Sequence, residues 1–251
     1  MRACLFCPAA VSSAEDAWPL WLLRKVGQDG PGEMFGERGR NGVRTWRLAA
    51  SGLRVRFVCR PCNNHWMSDL ESRARAAMEP MLGDTPHTLS AEGQTTLAMW
   101  AIKGAMVHEA LRSGRPAVFT SAERAELREA KMPPRTKVWI AKCVDSPGPG
   151  CIAEDLFSAD PSVATQISGY VTTMAFGPLA FQVLNFRLPY AAPDSIDMTA
   201  ELRPGPWPST AAQIWPTISP TLAWPMSIGL RGEAGIEAFS DRWKPVEADS
   251  E

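Results

Sequence analysis

Four of the six cysteines in this 251-residue chain fall into two Cys-x-x-Cys pairs, Cys4/Cys7 and Cys59/Cys62, the second within CRPCNNHWM. Two such pairs supply four thiolates, the donor set of a closed tetrahedral zinc site. The chemistry expected of Cys4, Cys7, Cys59 and Cys62 is therefore structural: zinc holds a scaffold together and takes no part in a reaction. Ordinary buried thiols or disulfides are the alternative, but a spacing of two, repeated and followed by polar turn residues, favours metal. Cys143 and Cys151 flank the turn-rich VDSPGPG without that spacing and read as small buried residues, a disulfide being the other option.

A second chemistry-bearing feature is positive charge. Arg38, Arg40, Arg44, Arg47, Arg54, Arg56 and Arg60 occur with no acidic residue among them, although the net charge of the chain is -1. Such a run suits contact with the phosphates of DNA or RNA. Part of it would also offset the formal -2 of a four-thiolate zinc. Arg54 and Arg56 alternate with apolar residues in LRVRFVC, which puts both on one face of a strand entering the second cysteine pair.

The order of the motifs resembles a known family. CLFC is followed by EDAWP, and a strand by VCRPCN; the chain looks like a divergent HNH endonuclease of the treble-clef, ββα-metal group, over about residues 4 to 82. Glu15, Asp16 and Pro19 match the Asp-His-x-x-Pro box of that family position by position, and Cys59, Cys62 and Asn63 match its closing knuckle. The resemblance implies phosphodiester hydrolysis with a divalent cation, Mg or Mn, near Asp16 and the turn from Asn63 to His65. Asp16 stands where the family has the histidine that deprotonates water, and an aspartate, with a reference pKa near 3.9, is a weak base at neutral pH unless perturbed. Each of these residues also has a structural reading. Asp16 can cap a short helix through AWPLWLLRKV, with Pro19 near its start. Asn63 suits the left-handed backbone of a knuckle turn.

The elements that position these groups are legible in outline. A helix from about Ser68 to Leu82 carries Leu70, Ala74, Met78 and Met81 on one stripe, with Glu71 beside it, set to pair with Arg75 at i+4 or, as the family resemblance implies, to belong to the metal site. The six glycines of residues 27 to 42 match no phosphate-loop spacing and read as a mobile surface loop. From Thr95 to Arg112 the apolar pattern gives a helix with one buried face and Lys103 at its rim. Thr120 and Glu123 form a capping box for a second helix that stops before Pro133. TKVWIAK, ISGYVTTMAF and LAFQVLNF read as strands, the last two as a hairpin. Between Arg203 and Trp243, four tryptophans alternate with prolines; they either make a polyproline-type ligand or lie over a sheet as core. His87 and His108 have no metal-ligand spacing and read as structural.

The expected fold class is α+β: a treble-clef, HNH-like zinc module over 1–85, then a helix-plus-antiparallel-sheet domain over 86–251. No segment reads as a membrane span or signal peptide, so the expected setting is the cytoplasm, whose reducing conditions suit zinc thiolates. The expected function is an HNH-type metal-dependent endonuclease, with Asp16, Asn63 and His65 as catalytic candidates. The competing expectation is a catalytically silent zinc finger that binds nucleic acid or protein.

Overall fold

The computed structural model describes residues 2–27, 31–39, 42–49, 54–111, 117–146, 148–157, 167–186 and 205–243. The chain opens with two short paired strands, β1 (Ala3–Cys4) and β2 (Cys7–Ala10), then β3 (Ser13–Asp16) and helix α1 (Leu20–Lys25). Strands β4 (Pro31–Gly39), β5 (Gly42–Ala49) and β6 (Arg54–Val58) follow. Next comes a long helix in three parts: α2 (Arg60–Cys62), a π-type stretch at Asn63–Met67, and α3 (Ser68–Leu82). After β7 (His87–Ser90) come α4 (Ala91–Leu111) and α5 (Ser121–Arg128). The strands β8 (Thr136–Val144), β9 (Gly150–Phe157), β10 (Ile167–Phe176) and β11 (Leu179–Phe186) precede α6 (Trp207–Thr210). The last elements are β12 (Ala211–Trp215), β13 (Thr221–Trp224), β14 (Leu230–Arg231) and α7 (Gly232–Ser240).

The large sheet has the order β12-β8-β11-β10-β9-β4-β5, with β14 paired to the end of β8. Its pairings are antiparallel except β4 with β9 and β14 with β8. This is the mixed helix and antiparallel-sheet architecture expected of an α+β chain. The expected hairpin forms from β10 and β11, turning at Gly177, whose φ of +52° suits a residue without a side chain. Two buried clusters line the two faces of the sheet. Val138 and Ile140 point to the face covered by α4, while Trp139, Ala141 and Cys143 point to the face covered by α7. Cys143 and Cys151 thus lie on opposite faces, in strands that are not neighbours, and do not meet.

Three expectations about elements change. The glycine-rich 27–42 region is largely strand: β4 and β5 pair with each other and extend the sheet through β9. Hydrogen bonding to a waiting sheet edge overrides the weak strand propensity of glycine. Second, α4 is buried all round rather than on one face, because α3 and β6 cover the side away from the sheet. Lys103, expected at a rim, is 4% exposed. Third, α1 starts after Pro19 with no side-chain cap, so Asp16 does not cap it and instead ends β3. The capping box at Thr120 and Glu123 has both of its bonds. Trp224 and Trp243 are buried, Trp207 and Trp215 partly so, as parts of the core rather than as an extended ligand.

One buried cluster runs from Phe6 and Trp18 through the α3 stripe Leu70, Ala74, Met78 and Met81 to Trp100, Phe181 and Trp224. Residues from both of the expected segments, 1–85 and 86–251, share it. Trp18 meets Phe176 edge-on at 5.6 Å, and Trp100 contacts Phe176 and Phe181 at 5.8 and 5.7 Å between centroids.

Candidate metal centre and the adjoining polar cleft

The two cysteine pairs converge because β6 brings its end beside the β1–β2 turn. Leu5 N–H donates to the Phe57 carbonyl at 2.6 Å, and Arg60 N–H donates to Ser12 Oγ at 2.9 Å. Cys59 takes the N-cap position of α2, where its sulfur accepts from Cys62 N–H. Cys4 Sγ accepts from the backbone N–H groups of Phe6 and Cys59 at 3.5 and 3.2 Å. Such donors stabilise thiolates. The four sulfurs lie within 4.8 Å of one another, and Cys7 Sγ is 3.5 Å from Cys59 Sγ and 3.7 Å from Cys62 Sγ. A tetrahedron with Zn–S of about 2.3 Å requires S···S of roughly 3.8 Å, so the sulfurs are placed to hold a metal ion such as zinc. Burial pushes the Cys62 thiol up from its ordinary range, so binding must release a proton from it. Phe6 against Trp66, edge-on at 5.0 Å, packs beside the cysteines.

Beside this centre, between β3, β6 and the helix, opens a polar cleft of about 470 Å³. Glu15 and Asp16 border it from β3, Arg54 from β6, Trp21 from α1, and Asn63, Asn64, Glu71 and Arg75 from the helix. Each charge but one has a partner. Asp16 Oδ1 accepts from Arg54 Nε at 2.9 Å, and Arg75 pairs with Glu79 at 2.9 Å rather than with Glu71. Glu15, 7% exposed, meets Lys103 Nζ at 2.9 Å. That lysine rises from α4, within the segment expected to form a separate domain. Glu71 forms no ion pair among the described residues. Desolvation raises its pKa, and the charges of Glu15 and Asp16 push the same way; Lys103 and the Trp21 indole N–H oppose them.

The expected site residues separate into groups. Asn63 donates through Nδ2 to Ser13 Oγ at 2.8 Å and to the Ala14 carbonyl at 3.1 Å, tying β3 to the helix. Its backbone is right-handed helical, φ -64° and ψ -49°, not the left-handed knuckle turn expected. His65 is exposed and stands outside the cleft lining. Among the described residues the four cysteines are the sole group with metal-ligand spacing, so no cluster for Mg or Mn accompanies Asp16. Arg54, Arg56 and Arg60 are exposed. Arg38 lies in β4, Arg44 and Arg47 lie in β5, and Arg40 falls outside the described residues. Arg54 is compensated by Asp16, so the arginine run is less bare than its sequence suggests.

No protein-family model, curated protein or solved structure matches this chain. Among the described residues no helix is long and apolar enough to cross a membrane.

Sequence reasoning missed Lys103 as a residue of this site and underrated Glu71. A lysine midway along an otherwise apolar helix was the available signal, because a buried lysine requires a partner.

Proposed function

We propose that the chain is an HNH-like nuclease, in which a treble-clef zinc module carries a phosphodiester-hydrolysing cleft. The observation that carries the reading is the position of the cleft: it lies between the β3–β6 pair and the helix that begins at the second cysteine pair, where carboxylates and arginines converge. Zinc at Cys4, Cys7, Cys59 and Cys62 holds the scaffold. Arg54 and Arg75, with side chains 61% and 52% exposed, are available to grip a phosphate at the mouth. Asn63 fixes the strand that presents Asp16. A divalent cation, Mg or Mn, would enter with the phosphate, and DNA or RNA is the partner. A reducing cytoplasm, in which thiolates remain available to zinc, fits the reading.

The test is a cleavage assay of zinc-loaded protein on plasmid, single-stranded DNA and RNA with added magnesium or manganese, against Asp16→Ala. Cleavage lost in that variant supports the nuclease. An intact protein that retains nucleic acid at low salt yet cuts none of the three substrates would sink it.

The Asp16–Arg54 pair favours one second reading, a silent module that binds nucleic acid, because it occupies the carboxylate that the family resemblance assigns to chemistry. Under that reading the double replacement Arg54→Ala/Arg56→Ala weakens binding and lowers the slope of log K against log salt by up to about 1.8, near 0.9 per lost phosphate contact.

A further inference from the structure

We propose that Glu71, rather than Asp16, is the proton-accepting side chain of the cleft, and that the buried Glu15–Lys103 pair is its positioning device. The proposal rests on the nuclease reading above and deepens it. Three carboxylates border the cleft, and two are already committed: Asp16 to Arg54 and Glu15 to Lys103, each at 2.9 Å. Glu71 forms no ion pair among the described residues, and beside the Trp21 indole N–H its carboxylate keeps acceptor capacity for a water. It stands on α3, held from below by the fully buried stripe of Leu70 and Ala74, so its backbone cannot drift.

The groups that face it come from every neighbouring element: Glu15 and Asp16 on β3, Arg54 on β6, the Trp21 indole on α1, Arg75 on its own helix and Lys103 on α4. Burial together with the two neighbouring carboxylates raises its affinity for a proton, while Lys103 restrains that rise. A carboxylate whose proton affinity is raised in this way is, once ionised, a stronger base than an exposed aspartate.

In the step itself, a water between Glu71 and a phosphate gripped at the cleft mouth gives its proton to the Glu71 carboxylate as its oxygen forms the new bond to phosphorus. The bond from phosphorus to the leaving sugar oxygen breaks, and that oxygen takes a proton from solvent. Glu71 then returns its proton to solvent, so one water is consumed and no oxidant or reductant is needed. Lys103 touches no substrate; it acts through Glu15 and through its charge.

The decisive experiment is the pH profile of cleavage by the full zinc-loaded chain, wild type against Glu71→Gln, Glu71→Asp, Glu15→Gln and Lys103→Met. Glu71→Gln is expected to lower kcat by about 10²–10⁴-fold, the usual contribution of a general base, with KM little changed, and Glu71→Asp to recover part of it. The acid limb should move up in Lys103→Met, which removes a stabilising positive charge, and down in Glu15→Gln, which removes a repelling negative one. Carbon-13 NMR titration of the Glu71 carboxyl in the same variants gives the same two shifts without turnover, and it also reports whether Lys103→Met remains folded. If wild type cuts and Glu71→Gln cuts equally well with the same profile, this assignment is wrong while the nuclease stands. If the two variants leave the Glu71 titration unmoved, the positioning role is wrong. If wild type does not cut, the nuclease reading and this assignment fall together.

Discussion

Replacing Lys103 by methionine should destabilise the protein sharply, and a second substitution should undo most of the damage. Lys103 Nζ and Glu15 Oε1 are 2.9 Å apart, with side chains 5% and 10% exposed. At that separation and an effective dielectric of about 20, their attraction is roughly 4–6 kcal/mol before desolvation is subtracted. Lys103→Met alone leaves the Glu15 carboxylate buried without a partner, a loss of about 3–5 kcal/mol for pairs of this kind. For a chain of this length that lowers Tm by roughly 6–20 °C. Adding Glu15→Leu removes the stranded charge and supplies apolar volume, so the double variant should return to within about 1–2 kcal/mol of wild type. Urea unfolding of zinc-loaded protein at pH 7, followed by tryptophan fluorescence, measures all three. A single variant within about 1 kcal/mol of wild type would mean that solvent reaches the pair. A double variant no better than the single would mean that the lysine acts by packing, not by charge.

Stripping the metal with a strong chelator under reducing conditions should remove one zinc per chain by elemental analysis. It should also cost most of the stability, because structural zinc contributes about 10–16 kcal/mol in small modules and the cysteines share a core with α4; an unchanged melt would refute this. Burial, with Lys103 nearby, drives His108 down to about 3, so the stability it contributes is present above the ordinary pKa near 6.5 and is lost as pH falls from there towards 3. His108→Leu should flatten that limb in acid unfolding curves. For Glu71, whose pKa is raised, the sign is opposite: its contribution is full below the ordinary glutamate pKa and is lost as pH rises through the raised one. Glu71→Gln should therefore unfold at higher urea than wild type at pH 7. Gly177→Ala should cost about 1–2 kcal/mol in the same assay, because φ is +52° and the added methyl carbon would come within 2.8 Å of Val26 Cγ1.

The cysteine spacing alone was enough to find the four-cysteine cluster that could hold a metal ion, since ligand geometry constrains sequence tightly. The α3 stripe, the β10–β11 hairpin and the capped α5 were equally legible, each being a local pattern of period or cap. Long-range decisions were hidden. Whether 27–42 forms loop or strand depends on an edge offered by β9, more than a hundred residues away, although the Asn41-Gly42 dipeptide is a recognised hairpin signal. Lys103 looked like a rim residue because periodicity on α4 shows which side meets the sheet and not that α3 closes over the other. Nor could sequence tell which of the cleft carboxylates has a counterion: Arg54 and Asp16 meet only because β3 and β6 pair in register.

The parallel pairing of β4 with β9 has a consequence for biosynthesis. Cys59 and Cys62 leave the ribosome about ninety residues ahead of Gly150, so the metal can close its ring long before β9 exists. At about 5–20 residues per second, the edge of β4 waits on the order of 5–20 s with its backbone donors and acceptors unmet. An edge left open is a template for pairing with another chain. Early zinc capture does not shorten that wait, because the strand that covers the edge of β4 is β9 itself.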